Sequence, residues 1–482
     1  MKIPNLCSLL LAAIICFSGC SKDDDDNNIH VISNNSILLT YNGSRFYIEY
    51  SDNVYDNDAV LSKPPKEANV IYDGHIDIPA SFNYKGRTFQ LVKINVGTFE
   101  NCATITSVNI PSTVGDIDSR AFAGCVKLEN ITVSGNTIIY EKAFAECEKL
   151  EKASFSDNVI MYEGVFEDCK SMISFVLPKV LTRLPNRTFK NCLKLTSVTI
   201  PDNITEIGIE TFRGSGITSI DLPEQVNYIG EYAFENCQQL ETVKLPENLP
   251  SVGPYAFMNC TNLSVVNIPE NCSLDEYAFY NSGVATLTIP VGVAFRYNAL
   301  TNCTKLTSVT FEKGYTLPYF SKDIFEGCTS LNSVNYEGEP FLITGMFKNC
   351  SSLKNFDFTG ISFIDDYAFE GTGFEKLELP EGIKDIRTGS FRNCSSLTFV
   401  ILPESLTGIY DDAFSESNGI REIYSHGTAP RYTHIKEGVY PESIFSQKTL
   451  DTAILHRPAS SEYDDSYNEA PWSWFKNVVK DL

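Results

Sequence analysis

Phenylalanine returns along this chain at a nearly constant interval. Phe99, Phe122, Phe144, Phe166, Phe189, Phe212, Phe234, Phe257 and Phe279 are followed by Leu300 and then by Phe325, Phe347, Phe369, Phe391 and Phe414. The mean interval is about 22.5 residues, too short for any one segment to enclose a core of its own. Segments of that size must bury their apolar sides against the segments before and after, which makes a solenoid of about fifteen coils. The chain has 482 residues, more than one globular core usually serves, and the period favours an array over separate globules.

A single unit shows how the period becomes structure. In Tyr232-Ala233-Phe234-Glu235-Asn236-Cys237-Gln238-Gln239-Leu240-Glu241-Thr242-Val243-Lys244-Leu245-Pro246, the alternation at Val243-Lys244-Leu245 predicts a short strand with one buried face. Pro246, lacking an amide donor, ends it. A second extended piece, Val226-Asn227-Tyr228-Ile229-Gly230, leads into the Phe segment. Around Ala233-Phe234 the sequence predicts one helical turn, too brief to be stable alone, with the Phe as a core plug.

Cysteine follows the same register. Eleven of the fifteen Cys lie three residues after a marker, at 102, 125, 147, 169, 192, 237, 260, 303, 328, 350 and 394, and Ser215, Ser282, Thr372 and Ser417 replace them elsewhere. A position that accepts Cys, Ser or Thr reads as a tight buried slot rather than a disulfide framework or a metal site. Three of the four replacements are followed at once by Gly, which predicts a tightened turn there. Cys272 stands off the column and has no explanation in the sequence.

The recurring Phe-x-x-Cys-x-x-Leu-x-x-Val-x-Ile-Pro, complete in Phe189 to Pro201, resembles the BspA-type leucine-rich repeat of bacterial surface proteins. The resemblance covers about residues 97–425 and implies a leucine-rich-repeat solenoid of parallel β-strands with short helical turns. It departs from the commoner leucine-rich pattern in having Pro rather than Asn after the strand. Tyr47-Ile48 through Phe89-Gln90-Leu91-Val92-Lys93-Ile94 resembles the β-rich segment that begins such arrays, giving a cap over residues 37–96. Leu455-His456-Arg457-Pro458, followed by Trp472-Ser473-Trp474-Phe475, resembles their closing segment, giving a cap over 426–482. Solenoid ends expose an apolar coil face, so both caps have a physical reason.

Residues 1–19 read as an export leader, since Lys2 precedes an apolar run from Leu6 to Phe17 that is too short to span a bilayer as a helix. Phe17-Ser18-Gly19-Cys20 resembles the lipobox of bacterial lipoproteins, with Phe17 where that motif prefers Leu; the resemblance makes Cys20 the lipid-bearing residue. A spacer is expected over 20–36. Its acidic run Ser21-Lys22-Asp23-Asp24-Asp25-Asp26 cannot bury surface and resembles the signal that sends Bacteroides-type lipoproteins to the outer face of the outer membrane. The expected location is therefore the outer membrane, lipid-anchored and facing outward.

Charge and motifs exclude several functions. Lys and Arg number 38 against 61 Asp and Glu, a formal charge of −23 and the wrong sign for a phosphate backbone. The five His include no pair at ligand spacing, and phosphate loops, Gly-x-Ser-x-Gly and Cys-x-x-Cys are absent. His426, Arg431 and His434 share a loop beside Tyr432, which reads as a connection rather than a catalytic site. The sequence calls for no cofactor and no catalysis.

Alternation places two columns of side chains on the outer face of the first strand of each coil. They run from Asn109 and Ser107 to Tyr424 and Glu422 and are mostly hydroxyls and amides. At roughly 4.8 Å per strand, fifteen coils extend this face about 70 Å, which suits an extended protein or glycan better than a small molecule. Val176 and Lys244 interrupt the hydroxyl run, and Phe399, Ile401 and Tyr424 form an apolar patch at its end. These five residues are the candidate partner contacts, although the long connection 426–445 is expected to fold over the patch. The family resemblance implies adhesion to host extracellular proteins such as fibronectin or fibrinogen, or to other cells. Glycan capture for polysaccharide uptake is the alternative, and it asks for aromatic platforms that the two columns scarcely supply.

Overall fold

The computed structural model describes residues 29–316, 321–433, 444–460 and 463–482. The leader, Cys20, the acidic run and His434 lie outside the described residues. The fold is a parallel β-solenoid of about 16 turns with very few helices, as the repeat predicts. Two ladders of short strands run its length. The first includes Ile105–Ile110, Asn130–Val133 and Lys152–Phe155 near the beginning and Lys376–Glu378, Phe399–Leu402 and Glu422–Ser425 near the end. The second is built of two- and three-residue pieces such as Glu206–Ile207, Tyr228–Ile229 and Ser251–Val252. The second is interrupted between Phe295 and Phe363, where the marker is Leu300 and the next interval is longest, whereas the first continues there through Ser308–Phe311 and Ser333–Tyr336.

Between the ladders, the marker rings pile on one another along the axis. Neighbouring rings from Phe99 to Phe279 lie 4.7 to 6.0 Å apart and nearly parallel, and the stack resumes from Phe325 to Phe414. Every one of these rings is fully buried. Offset-parallel aromatic pairs add to the area they bury, so each coil is held by the two beside it.

The turn around each Phe is not helical, contrary to the sequence expectation. The residues two before and two after the plug are left-handed, as with Tyr232 and Asn236 at φ 56° and 60°. Two left-handed residues so close together break any helical run. The freed amides bond the next coil instead: Phe99 N donates to Ala121 O at 2.7 Å and Asn101 N to Ala123 O at 2.8 Å, a pattern repeated coil after coil. Asn is tolerated in this conformation, which explains the Asn at 101, 191, 236, 259, 281, 302, 349 and 393.

The cysteine column is a hydrogen-bonded slot. Cys125, Cys147, Cys169, Cys192, Cys237 and Cys260 each donate from Sγ to the carbonyl of the preceding coil's plug at 3.0 to 3.2 Å. Ser417 does the same to Phe391 O at 2.7 Å, so the slot selects a small donor and not sulfur as such. All the described cysteines are free. Burial pushes the Cys237 thiol up to about 12, leaving almost no reactive thiolate at neutral pH. Where Gly follows the replacement, the coils do close up: a Cβ on Gly216 or Gly373 would lie 2.2 or 2.1 Å from a carbonyl oxygen of the coil before. Cys272 is fully buried at the start of Ser273–Leu274 and fills the core there.

The caps extend the ladders. Ile29–Ser33 is a strand paired with Ser36–Tyr41, so regular structure begins inside the expected spacer, where Ile29, Val31 and Ile32 favour extended backbone. Gly74–Asp77 opens the first ladder and Arg87–Ile94 the second. At the other end Phe445 stacks on Phe414 at 5.4 Å, and Trp472 and Phe475 meet it edge-on. Ile454–Arg457 and Asn477–Lys480 add two more strands to the first ladder.

Candidate partner-binding surface

The outward side chains of the first ladder stand in register. Asn109 pairs with Thr132 and Thr132 with Ser154, Val176 with Thr199, Asp221 with Lys244, and Glu378, Ile401 and Tyr424 follow one another. No residue of either outward column is buried. Val176 is 66% exposed, and Val265 on the second column 60%. Lys244 reaches Glu224 at 3.0 Å and remains in water.

The two ends of this face differ in chemistry. At the beginning, His75 Nδ1 lies 2.6 Å from Ser107 Oγ, its Nε2 lies 3.0 Å from Asp77 Oδ1, and Asn109 donates to the same oxygen at 2.8 Å. The hydrogen bond from Asn109 leads the effects that hold the Asp77 carboxyl below its usual range. This group was not visible in the sequence, because Ser107 and Asn109 reach it only through the pairing of Gly74–Asp77 with Ile105–Ile110. All four side chains lie on an open strand face, and their bonds tie the first two rungs together.

At the far end stands an aromatic row. Phe399 and Tyr424 have ring centroids 5.0 Å apart, and Tyr424 stacks on His456 at 4.1 Å with the planes 1° apart. Lys376 lies over the outer face of Phe399 at 5.0 Å, and Asp481 holds His456 Nδ1 at 2.9 Å. Phe399, Ile401 and Tyr424 are half-buried. The described parts of the connection 426–445 lie elsewhere: Arg431–Thr433 joins the second ladder and Phe445 enters the ring stack, while 434–443 lie outside the described residues. His456, thirty-two residues after Tyr424, is the member of the row that the sequence did not reveal.

Among the described residues no group of three His, Cys, Asp or Glu could hold a metal ion, and no helix is long and apolar enough to cross a membrane.

The family described as BspA type leucine rich repeat region matches residues 87–195, 182–307, 245–343 and 341–443. The chain belongs to this family. A leucine-rich repeat protein from Bacteroides ovatus shares the fold at 24% identity and a TM-score of 0.54, over 81% of this chain and 98% of that one. A leucine rich cell surface protein from Faecalibacterium prausnitzii aligns at 22% identity and a TM-score of 0.40, over 82% and 94% of the two chains. The pneumococcal vaccine antigen PcpA aligns at 13% and 0.37, over 92% and 98%. No curated protein matches the sequence. In this BspA-type chain, as in its Bacteroides ovatus neighbour, the repeat specifies the scaffold.

Proposed function

We propose that this BspA-type chain is a lipid-anchored cell-surface protein that binds an extended extracellular protein along its first ladder, without catalysis. The aromatic row of Phe399, Tyr424 and His456 carries this reading, since it is an apolar strip on an otherwise hydroxyl- and amide-lined face. Aromatic residues in a polar surround are the usual energetic centre of protein contacts. The row suits a protein better than a sugar. Its rings lie against one another and Lys376 covers the outermost, so they turn edges rather than faces to solvent. A sugar platform needs an open ring face. Lys376, Glu378 and Glu422 border the row with charge and supply a polar rim.

Anchoring rests on Phe17-Ser18-Gly19-Cys20 and the acidic run after it. Cell fractionation of a Cys20→Ala strain tests it: the account expects loss from the membrane fraction, and unchanged membrane retention contradicts it. Binding is tested with immobilised fibronectin and fibrinogen against the protein and its Phe399→Ser/Tyr424→Ser variant. A folded variant with binding lost supports the reading. Unfolding of the variant with affinity unchanged shows the row to be core instead.

A further inference from the structure

A second set of rings lies on the turn edge, away from the first ladder. Tyr232, Tyr255 and Tyr277 each stand two residues before a plug, and their rings stack at 4.8 and 5.3 Å with the planes within 14°. Arg213 closes one end of this stack, 5.4 Å from the centre of Tyr232. Among the described residues no cation lies over the other end, at Tyr277. In the next coil the same register position is Asn298, which has the same left-handed backbone, φ 58° against 54° at Tyr277, but no ring to offer. Its amide only reaches across to donate to the Tyr277 hydroxyl at 2.8 Å.

The place of the missing fourth ring is a shallow depression of about 570 Å³ lined by Tyr255, Tyr277, Tyr280, Asn298, Asn302 and Glu326, among others. Tyr280 stands at 72° to Tyr277 as a side wall, held by a hydrogen bond of 2.9 Å from Asn302. Gly327 leaves room for the Asn302 side chain, since a Cβ there would lie 2.0 Å from Asn302 Oδ1. The floor is therefore aromatic, with Tyr277 ending the stack, and the rest of the lining sets the amides of Asn298 and Asn302 and the carboxylate of Glu326 beside Met258 and Thr301.

We propose that this depression binds a hexose unit of a neutral oligosaccharide. A pyranose presents an apolar C–H face that covers an aromatic ring and a rim of hydroxyls that donate to amide and carboxylate oxygens. A protein aromatic side chain fits the floor equally well, but it would leave the surrounding polar groups without partners when it covered them. Glu326 and Glu370 share the single charge of Lys348 at 3.5 Å, which leaves the neighbourhood negative, and with the acidic chain as a whole this opposes an anionic sugar. The site lies on a different edge from the aromatic row and is independent of the function proposed above.

Asn298→Tyr is the decisive variant, because all three tyrosines of the stack already occupy this backbone conformation and one more would complete it. Isothermal titration uses the purified protein with maltohexaose, cellohexaose, mannohexaose and chitohexaose, and oligogalacturonate as the acidic probe. The proposal expects at least one neutral hexaose to bind. It expects Asn298→Tyr to weaken that sugar by about tenfold or more with the melting temperature maintained. Tyr277→Ala should weaken it similarly and carries the test if Asn298→Tyr does not fold, while Phe399→Ser/Tyr424→Ser should leave it unchanged. Four results overturn the proposal: no neutral hexaose binding at about 10 mM, binding of the acidic probe alone, wild-type affinity in folded Asn298→Tyr, or loss of sugar binding in the Phe399→Ser/Tyr424→Ser protein.

Discussion

The turn edge and the first-ladder face are built from the same repeat, yet they treat sequence in opposite ways. Along the turn, each coil presents nearly the same plug and the same small donor to the coil before it, and the contacts at Phe234 and Cys237 recur at Phe257 and Cys260. On the face, the outward positions change from coil to coil, through Thr132, Val176, Lys244 and Tyr424. The inward positions answer to a neighbouring coil of identical shape, and this fixes them. The outward positions answer to water or to a partner and to no copy of themselves, so they are free to vary from coil to coil.

Substitutions that cross this divide should rank accordingly. Phe234→Ala removes a fully buried ring from the middle of an unbroken stack and should cost about 3–5 kcal/mol in chemical denaturation. A loss close to that of a surface change would break the comparison.

Acid acts next, on Glu210. Burial would raise its pKa, but hydrogen bonds from Arg187, Arg213 and Lys190 outweigh that and hold it down at about 2. The folded value lies below the ordinary 4.5, so this stabilisation is present above pH 4.5 and is lost as the pH falls towards 2. Melting temperatures across that range should fall in the wild type and fall less in Glu210→Gln.

Cys169→Val keeps the size of the slot but leaves Phe144 O without the thiol donor at 3.2 Å, and should cost about 1–2 kcal/mol. Cys169→Ser should cost less, because a hydroxyl serves the slot at Ser417. Equal losses would show that the slot senses volume alone. Smallest of all, Val176→Ser should change stability by no more than about 0.5 kcal/mol.

The inward columns were legible in the sequence for the reason they are repetitive: each reports a contact with its own copy about 22.5 residues away. The left-handed turn was also written there, in the Asn and Gly two residues after the plugs, but the shortness of the segment suggested a helical turn instead. Phe445 escaped notice because the connection before it stretches its interval beyond the period. The groups at the two ends of the face were hidden for a different reason. His75 meets Ser107, and Tyr424 meets His456, only once strands from different coils lie side by side.

Alkylation mapping of the native Val176→Cys protein tests inside against outside in one experiment. The account predicts rapid labelling at position 176 while Cys147, Cys169 and Cys192 stay unmodified until the chain is unfolded. Labelling of those three at the rate of position 176, or their recovery as disulfide-linked peptides, would contradict it.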